Sequence, residues 1–246
     1  MKSFKVTLVL LMFLGLACEH SGTTDADLLF TDLDTTILEA TSAKGTLVQS
    51  TSVLPFLPAG DIGGPGNQLV PGDFFPPISK SKATLKRGAD YIQFNIHTNG
   101  LPHGAYTVWY VIFNTPSECI GPGASGGVCG LDDLFGPSVS VVWATGKVVK
   151  ANGIGNFSDR IYVGESRSET VILGDNLTFP LSNPQNAEVH CIIKYHGLAS
   201  EDPDILYDQL HTLLGNCGED DGANSFLDGA FGIQCFDPQV AVFAAN

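Results

Sequence analysis

Histidines, one glutamate and a knot of acids are the side chains in this sequence with the chemistry of catalysis or metal binding. Glu188 and His190 sit two residues apart in an alternating run, Ala187 to Tyr195. On a strand they share a face about 7 Å apart, as a general acid/base pair or as a structural hydrogen-bonded pair would. His97, in an earlier strand-like run, is the third candidate for one cleft. A hydrolase-like or metal-dependent enzyme would be built on Glu188, His190 and His97. His103 lies in a turn close enough in sequence to approach His97. His190 and His196 fall on one face but about 20 Å apart along a strand, so they share no ion unless the chain bends at Tyr195-His196-Gly197. Glu219, Asp220, Asp221 and Asp228 crowd one loop, where carboxylates and carbonyls could hold calcium. The spacing matches no EF-hand, and the alternative is a solvated acidic loop. Calcium aside, no cofactor is implied. HExxH and phosphate-loop motifs are missing, and the Gly-x-Ser-x-Gly match at Gly123 to Gly127 lies in a loop without a following helix, not at an elbow, so the enzyme reading ranks second.

The elements that would position these residues are strands. In DYIQFNIHTNGLPHGAYTVWYVIFNTP (90–116), Ile92, Phe94 and Ile96 alternate with Gln93, Asn95 and His97. Tyr106 to Phe113 is apolar or aromatic at nearly every position, which predicts a central strand buried on both faces, with Trp109, Tyr110 and Phe113, and Trp143 of a later run, in the core rather than on a carbohydrate platform. The spacing predicts a hairpin between the two runs. Further strands are expected from Leu28 to Ser52, over Ala83 to Lys86, over Ser138 to Lys150 with an interruption at Ala144-Thr145-Gly146, at Thr170 to Leu173 and at Gln239 to Ala245. Asn152-Gly153 predicts a second hairpin, into Gly155 to Val163. On Ala187 to Tyr195, Val189, Cys191, Ile193 and Tyr195 take one face, and Glu188, His190, Ile192 and Lys194 the other. Asp202-Pro203-Asp204 starts a helix that carries Ile205, Leu206, Leu210, Leu213 and Leu214 and ends at Gly215. Residues 53–78, rich in Pro and Gly, read as a long surface loop pinned or exposed through Phe56, Phe74 and Phe75. The fold class is therefore all-β, an antiparallel sandwich or barrel-like domain with one short helix near the C-terminus.

Met1 to Cys18 has Lys2 and Lys5, then an apolar core too short to span a bilayer, as in a cleaved export signal. Its ending, Leu14-Gly15-Leu16-Ala17-Cys18, resembles the lipobox of bacterial lipoproteins. The resemblance implies cleavage before Cys18, lipidation of that residue, a membrane partner reached through the lipid, and an envelope location (outer membrane or cell surface). An ordinary secretory signal cut near Ala17 is the other reading. The expected organisation is a leader over 1–17, a polar tether over 18–27 and one β-domain over 28–246. The full chain carries a formal charge of −14. Losing Lys2 and Lys5 leaves 10 basic against 26 acidic residues and a charge of −16, which argues against a nucleic-acid partner.

Export permits disulfides. Cys119 and Cys129 bracket one glycine-rich loop, and Cys217 and Cys235 a second. Local pairing is the simplest solution, each closure stabilising by roughly 3 kcal/mol. Cys191 is left as a buried thiol. Zinc is the rival use, but no CxxC is present.

GLPHGAYTVWYVIFNTPSEC, ATGKVVKANGIGNFSDRIYVG, LSNPQNAEVHCIIKYHG and the final CFDPQVAVF together resemble a family of exported bacterial β-domains of unassigned function. That resemblance, over Ala83 to Asn246, implies a sandwich-like fold, supports the pairing of Cys217 with Cys235 and supplies no catalytic residues. The leading expectation is a lipid-anchored envelope module with a non-catalytic binding or structural role.

Overall fold

The computed structural model of the chain describes residues 37–42, 45–55, 76–121, 127–134, 136–165, 167, 179–213, 215 and 235–246. Its strands are β1 (Ile37–Ser42), β2 (Thr46–Thr51), β3 (Leu54–Pro55), β4 (Lys82–Arg87), β5 (Tyr91–Thr98), β6 (Gly104–Phe113), β7 (Val139–Val149), β8 (Gly155–Tyr162), β9 (Glu188–Tyr195) and β10 (Phe236–Phe243). They form two five-stranded sheets, ordered β1-β2-β4-β5-β8 and β3-β10-β9-β6-β7. Every pairing is antiparallel. The fold is all-β and sandwich-like rather than a closed barrel, with one short α-helix, α1 (Pro203–His211), among the described residues.

The alternation of β5 turns Ile92, Phe94 and Ile96 inward. They meet Tyr106, Val108, Tyr110 and Ile112 of β6, and Val189, Cys191 and Ile193 of β9. Phe94 and Tyr110 pack edge to face across the two sheets, with ring centroids 5.1 Å apart. Such aromatic pairs add about 1 kcal/mol to the burial itself. β6 is buried along its whole length because its other face has a cover too. Trp109, Val111 and Phe113 join Ile192, Val139, Leu134, Cys129 and Leu213 in a second apolar cluster.

Both predicted hairpins are corrected by the sheet order. β5 pairs with β4 and β8, whereas β6 pairs with β7 and β9, so Asn99 to His103 arches from one sheet to the other. The connection through Asn152-Gly153 likewise carries the chain from β7 to β8, in different sheets. Gly153 adopts φ 69°, and its carbonyl accepts the Leu101 N–H at 3.2 Å, so the two arches brace each other. The hairpin partner of β5 is β4. Its turn closes with Gly88 N–H donating to the Tyr91 carbonyl.

Ala144-Thr145-Gly146, expected to interrupt the strand, lies within β7 instead. The register slips between Val108↔Thr145 and Val108's neighbour Trp109↔Trp143, leaving Ala144 as a bulge. β3 is a further correction, since Leu54–Pro55 pairs with β10 inside the stretch read as loop. Residues 56–75, with Phe56, Phe74 and Phe75, lie outside the described residues, as do 170–173 and the leader and tether, Cys18 included.

α1 begins as its sequence predicts, with the Asp202 carboxylate accepting from Asp204 N and Ile205 N and with Pro203 in the first turn. It ends earlier than predicted, at His211, and Thr212 is already extended. Its buried residue is Gln209, whose amide donates to the His196 and Leu198 carbonyls at 2.9 Å and accepts from Ser200 N. Trp143 Nε1 donates to Leu210 O at 3.0 Å, which seats the helix on β7. There a Cβ on Gly146 would strike the Leu210 backbone. Gly146→Ala is therefore expected to cost about 1–3 kcal/mol by overpacking. A lowered Tm with red-shifted Trp143 fluorescence would confirm it, and an unchanged Tm would refute it.

Candidate functional site

β9 carries a row of ionisable groups on the face away from the inter-sheet core, and the second cover buries them. Glu188 is fully buried and His190 nearly so. His190 Nε2–H donates to Glu188 Oε1 at 2.8 Å, and the ring lies 5.1 Å from Phe113. The same carboxylate accepts Val128 N at 2.7 Å and Cys129 N at 3.0 Å. Gly127 comes so close that a Cβ there would overlap the carboxylate. Glu188 thus fastens the backbone of the loop that Cys119–Cys129 closes, with Cα atoms 5.1 Å apart.

Asp133 does the same from the other side. Burial would raise its pKa, but N–H donors from Ile120 (2.6 Å), Gly130 (2.8 Å) and Gly121 (3.1 Å) outweigh it and hold it below the usual carboxylate value. Cys119, Cys129 and Asp133 lie close enough to ligate a metal, yet the two sulfurs are bonded to each other. A disulfide offers no thiolate, so this trio is a loop clasp.

Farther along the row, Lys194 Nζ reaches Asp237 Oδ1 at 3.4 Å, both groups buried. Burial raises the Asp237 pKa and the Lys194 cation opposes it. Just past the strand, His196 Nδ1 donates to the Gly215 carbonyl at 3.0 Å. Its Nε2 accepts the Thr107 hydroxyl at 2.7 Å, and Thr107 in turn accepts Trp109 Nε1–H at 2.8 Å. Burial, reinforced by Lys194, lowers the His196 pKa to about 3, so it stays neutral at ordinary pH.

No protein-family model, curated protein or solved structure matches the chain. Its own geometry must therefore carry the functional reading.

The three candidate catalytic residues do not meet. His97 is exposed on the outer face of the first sheet, where Nδ1 donates to Asn156 Oδ1 at 2.7 Å. Glu188 and His190 lie under the outer cover of the other sheet. The whole sandwich stands between them, and packed sheets alone are about 10 Å apart. His103 is exposed in its arch and does not join them. Cys191 is a buried thiol whose pKa burial pushes up, which makes it an inert core residue. Cys235 is disulfide-bonded, while Cys217 and the acids Glu219, Asp220, Asp221 and Asp228 lie outside the described residues.

The buried charges that sequence reading missed are scaffold parts. Arg87, fully buried, donates to Gln49 Oε1 (2.7 Å) and to the Pro184 and Ala244 carbonyls (3.0 Å each). Burial pulls its pKa down to about 10, against the attraction of Glu188 and Cys191. Continuing the Ala83, Leu85 alternation by one step would have placed Arg87 inside. Arg167 pairs with Asp159 (2.8 Å) and Glu165 (2.9 Å) and donates to Trp143 O, the carbonyl beside the β7 bulge. Burial raises the Asp159 pKa despite that partner.

Proposed function

We propose that the chain is a lipid-anchored β-sandwich of a bacterial cell envelope, acting as a non-catalytic binding or structural module. The observation that carries this reading is the use of Glu188. Its oxygens are taken up by two loop N–H groups and His190, in a site closed to solvent. Among the described residues His190 bonds to Glu188, and no Ser–His or Cys–His device is formed there. The anchor rests on the leader and Cys18, with the polar 18–27 stretch as tether.

The mature protein is expected to carry a diacylglyceryl group on Cys18 by intact mass. Cys18→Ser should move it from the membrane fraction to the soluble one. An unmodified Cys18 or Glu19 at the mature N-terminus, or a Cys18→Ser variant that stays membrane-bound, would overturn the anchored reading.

A further inference from the structure

The outer face of the first sheet sorts charge in a way the composition does not predict. The exposed lysines and arginines among the described residues are Lys80, Lys82, Lys86, Lys147, Lys150 and Arg160. Lys82, Lys86 and Arg160 stand on this face. Lys80 precedes β4, Lys147 reaches over to donate to Asn156 O at 2.9 Å, and Lys150 lies in the arch between β7 and β8. Against them, β2, β4, β5 and β8 present no carboxylate outward, because Asp159 turns inward to Arg167. Asp90, in the β4–β5 turn, is near enough to act on Arg160, and Glu39 holds the register position in line with Val48 and Lys86 on the far edge strand. Three of the six exposed bases thus stand on one face of a chain with 26 acids and 12 bases.

Register makes the face regular. Lys86, Gln93 and Arg160 form one row across β4, β5 and β8, then Thr84, Asn95 and Ser158, then Lys82, His97 and Asn156. No bulge interrupts these pairings. Arg160 is held in place, with its guanidinium 4.6 Å from the Tyr91 ring centroid. Nε and Nη2 donate to Gln93 Oε1 (3.2 and 2.7 Å) and Nη1 to the Tyr162 hydroxyl (3.2 Å). A guanidinium has five N–H donors, so two remain for a ligand. Lys82 and Lys86 are about 13 Å apart along β4, and Lys86 and Arg160 about 10 Å apart across the sheet. Cations this far apart can pair with every second or third carboxylate of a uronate chain, and match a nucleic acid with a charge every ~1.7 Å poorly. The amides and hydroxyls between the cations suit sugar hydroxyls, and the unbroken register suits an extended chain.

We infer that this face binds a linear, carboxylate-bearing polysaccharide, laid across β4, β5 and β8 between Lys82, Lys86 and Arg160. This rests on the reading of the sandwich as a binding module, but not on its anchor.

The test is the affinity of the full chain for polygalacturonate, with dextran, polyglutamate and phosphatidylglycerol vesicles as comparisons. Binding to polygalacturonate is expected to exceed that to all three and to weaken with salt. Lys82→Gln with Lys86→Gln and Arg160→Gln should weaken it about ten- to a hundredfold, at roughly 2–5-fold per exposed cation, with Tm unchanged. Should Arg160→Gln disturb the Tyr91 contact, the two lysine changes alone should still weaken binding severalfold. Equal binding to dextran, polyglutamate or vesicles, or variants that bind as tightly as wild type, would overturn the inference. Either failure leaves the Cys18 result intact, and loss of the anchor leaves this binding intact.

Discussion

Glu188→Ala is expected to cost about 3–5 kcal/mol, the range for removing one partner from a buried ionic cluster. The methyl group leaves Val128 N, Cys129 N and His190 Nε2 without the oxygens that now accept from them. Of these, Cys129 N and His190 Nε2 are buried, and each such stranded donor costs about 1–3 kcal/mol in its own right. For a domain of this size the Tm should fall by roughly 6–20 °C. Glu188→Gln keeps the shape and one acceptor oxygen, but turns an amide N–H₂ toward at least one backbone donor, so its loss should be smaller, about 1–3 kcal/mol. The effect should begin in the Gly127–Cys129 segment, so the variant disulfide should reduce faster at temperatures where the fold is intact. An enzyme built on Glu188 would behave differently, with a fold of near wild-type stability and a lost reaction. Thermal unfolding by circular dichroism separates the two, and a Glu188→Ala variant melting within 2 °C of wild type would remove the structural role.

The strands were legible wherever burial imposes a pattern. β5 alternates because one face meets the core and the other meets water, and β6 is uniformly apolar because a second cover lies over it. Connectivity was not legible. A period-2 run bounded by a turn looks the same whether the next strand pairs with it or crosses to the opposite sheet. The choice is made by backbone hydrogen bonds, which carry no residue identity. The β7 bulge looks like an interruption in sequence for a related reason: Ala144-Thr145-Gly146 breaks the alternation without breaking the ladder. At the candidate site, the proximity of Glu188 to His190 followed from spacing, and the two faces of β9 were assigned correctly. That Glu188 spends its oxygens on Val128 and Cys129 depends on a contact sixty residues distant, and no local pattern encodes it. His97 was grouped with it by residue type alone, and the sandwich separates them.

The largest pH effect should come from His196. In the unfolded chain it titrates near 6.5, and in the fold its pKa is lowered to about 3. Between those values the unfolded state binds one more proton than the folded state, so stability rises with pH and is lost on acidification, at 1.36 kcal/mol per unit. The loss starts as pH falls through about 6.5 and should reach about 3 kcal/mol at pH 4. Asp159 and Asp237 have the opposite sign. Their folded pKa values are raised, so in the acid range the fold takes up their protons more readily than the unfolded chain and regains part of that stability. The His196 share is therefore read as a difference, with urea unfolding at pH 7 and pH 4 in wild type and in His196→Gln. A glutamine can still donate to Gly215 O and accept from Thr107, but it does not titrate. The variant should lose about 3 kcal/mol less than wild type between the two pH values, and equal losses would exclude His196 as the group responsible. The structural cause is specific. Protonated Nε2 can no longer accept the Thr107 hydroxyl, so the relay from Trp109 through Thr107 to Gly215 breaks, and with it the seat from which the His196 carbonyl holds Gln209 of α1. Acid should accordingly loosen the helix side of the cover before the inter-sheet core, seen as a change in Trp109 and Trp143 fluorescence that precedes the loss of β-sheet signal.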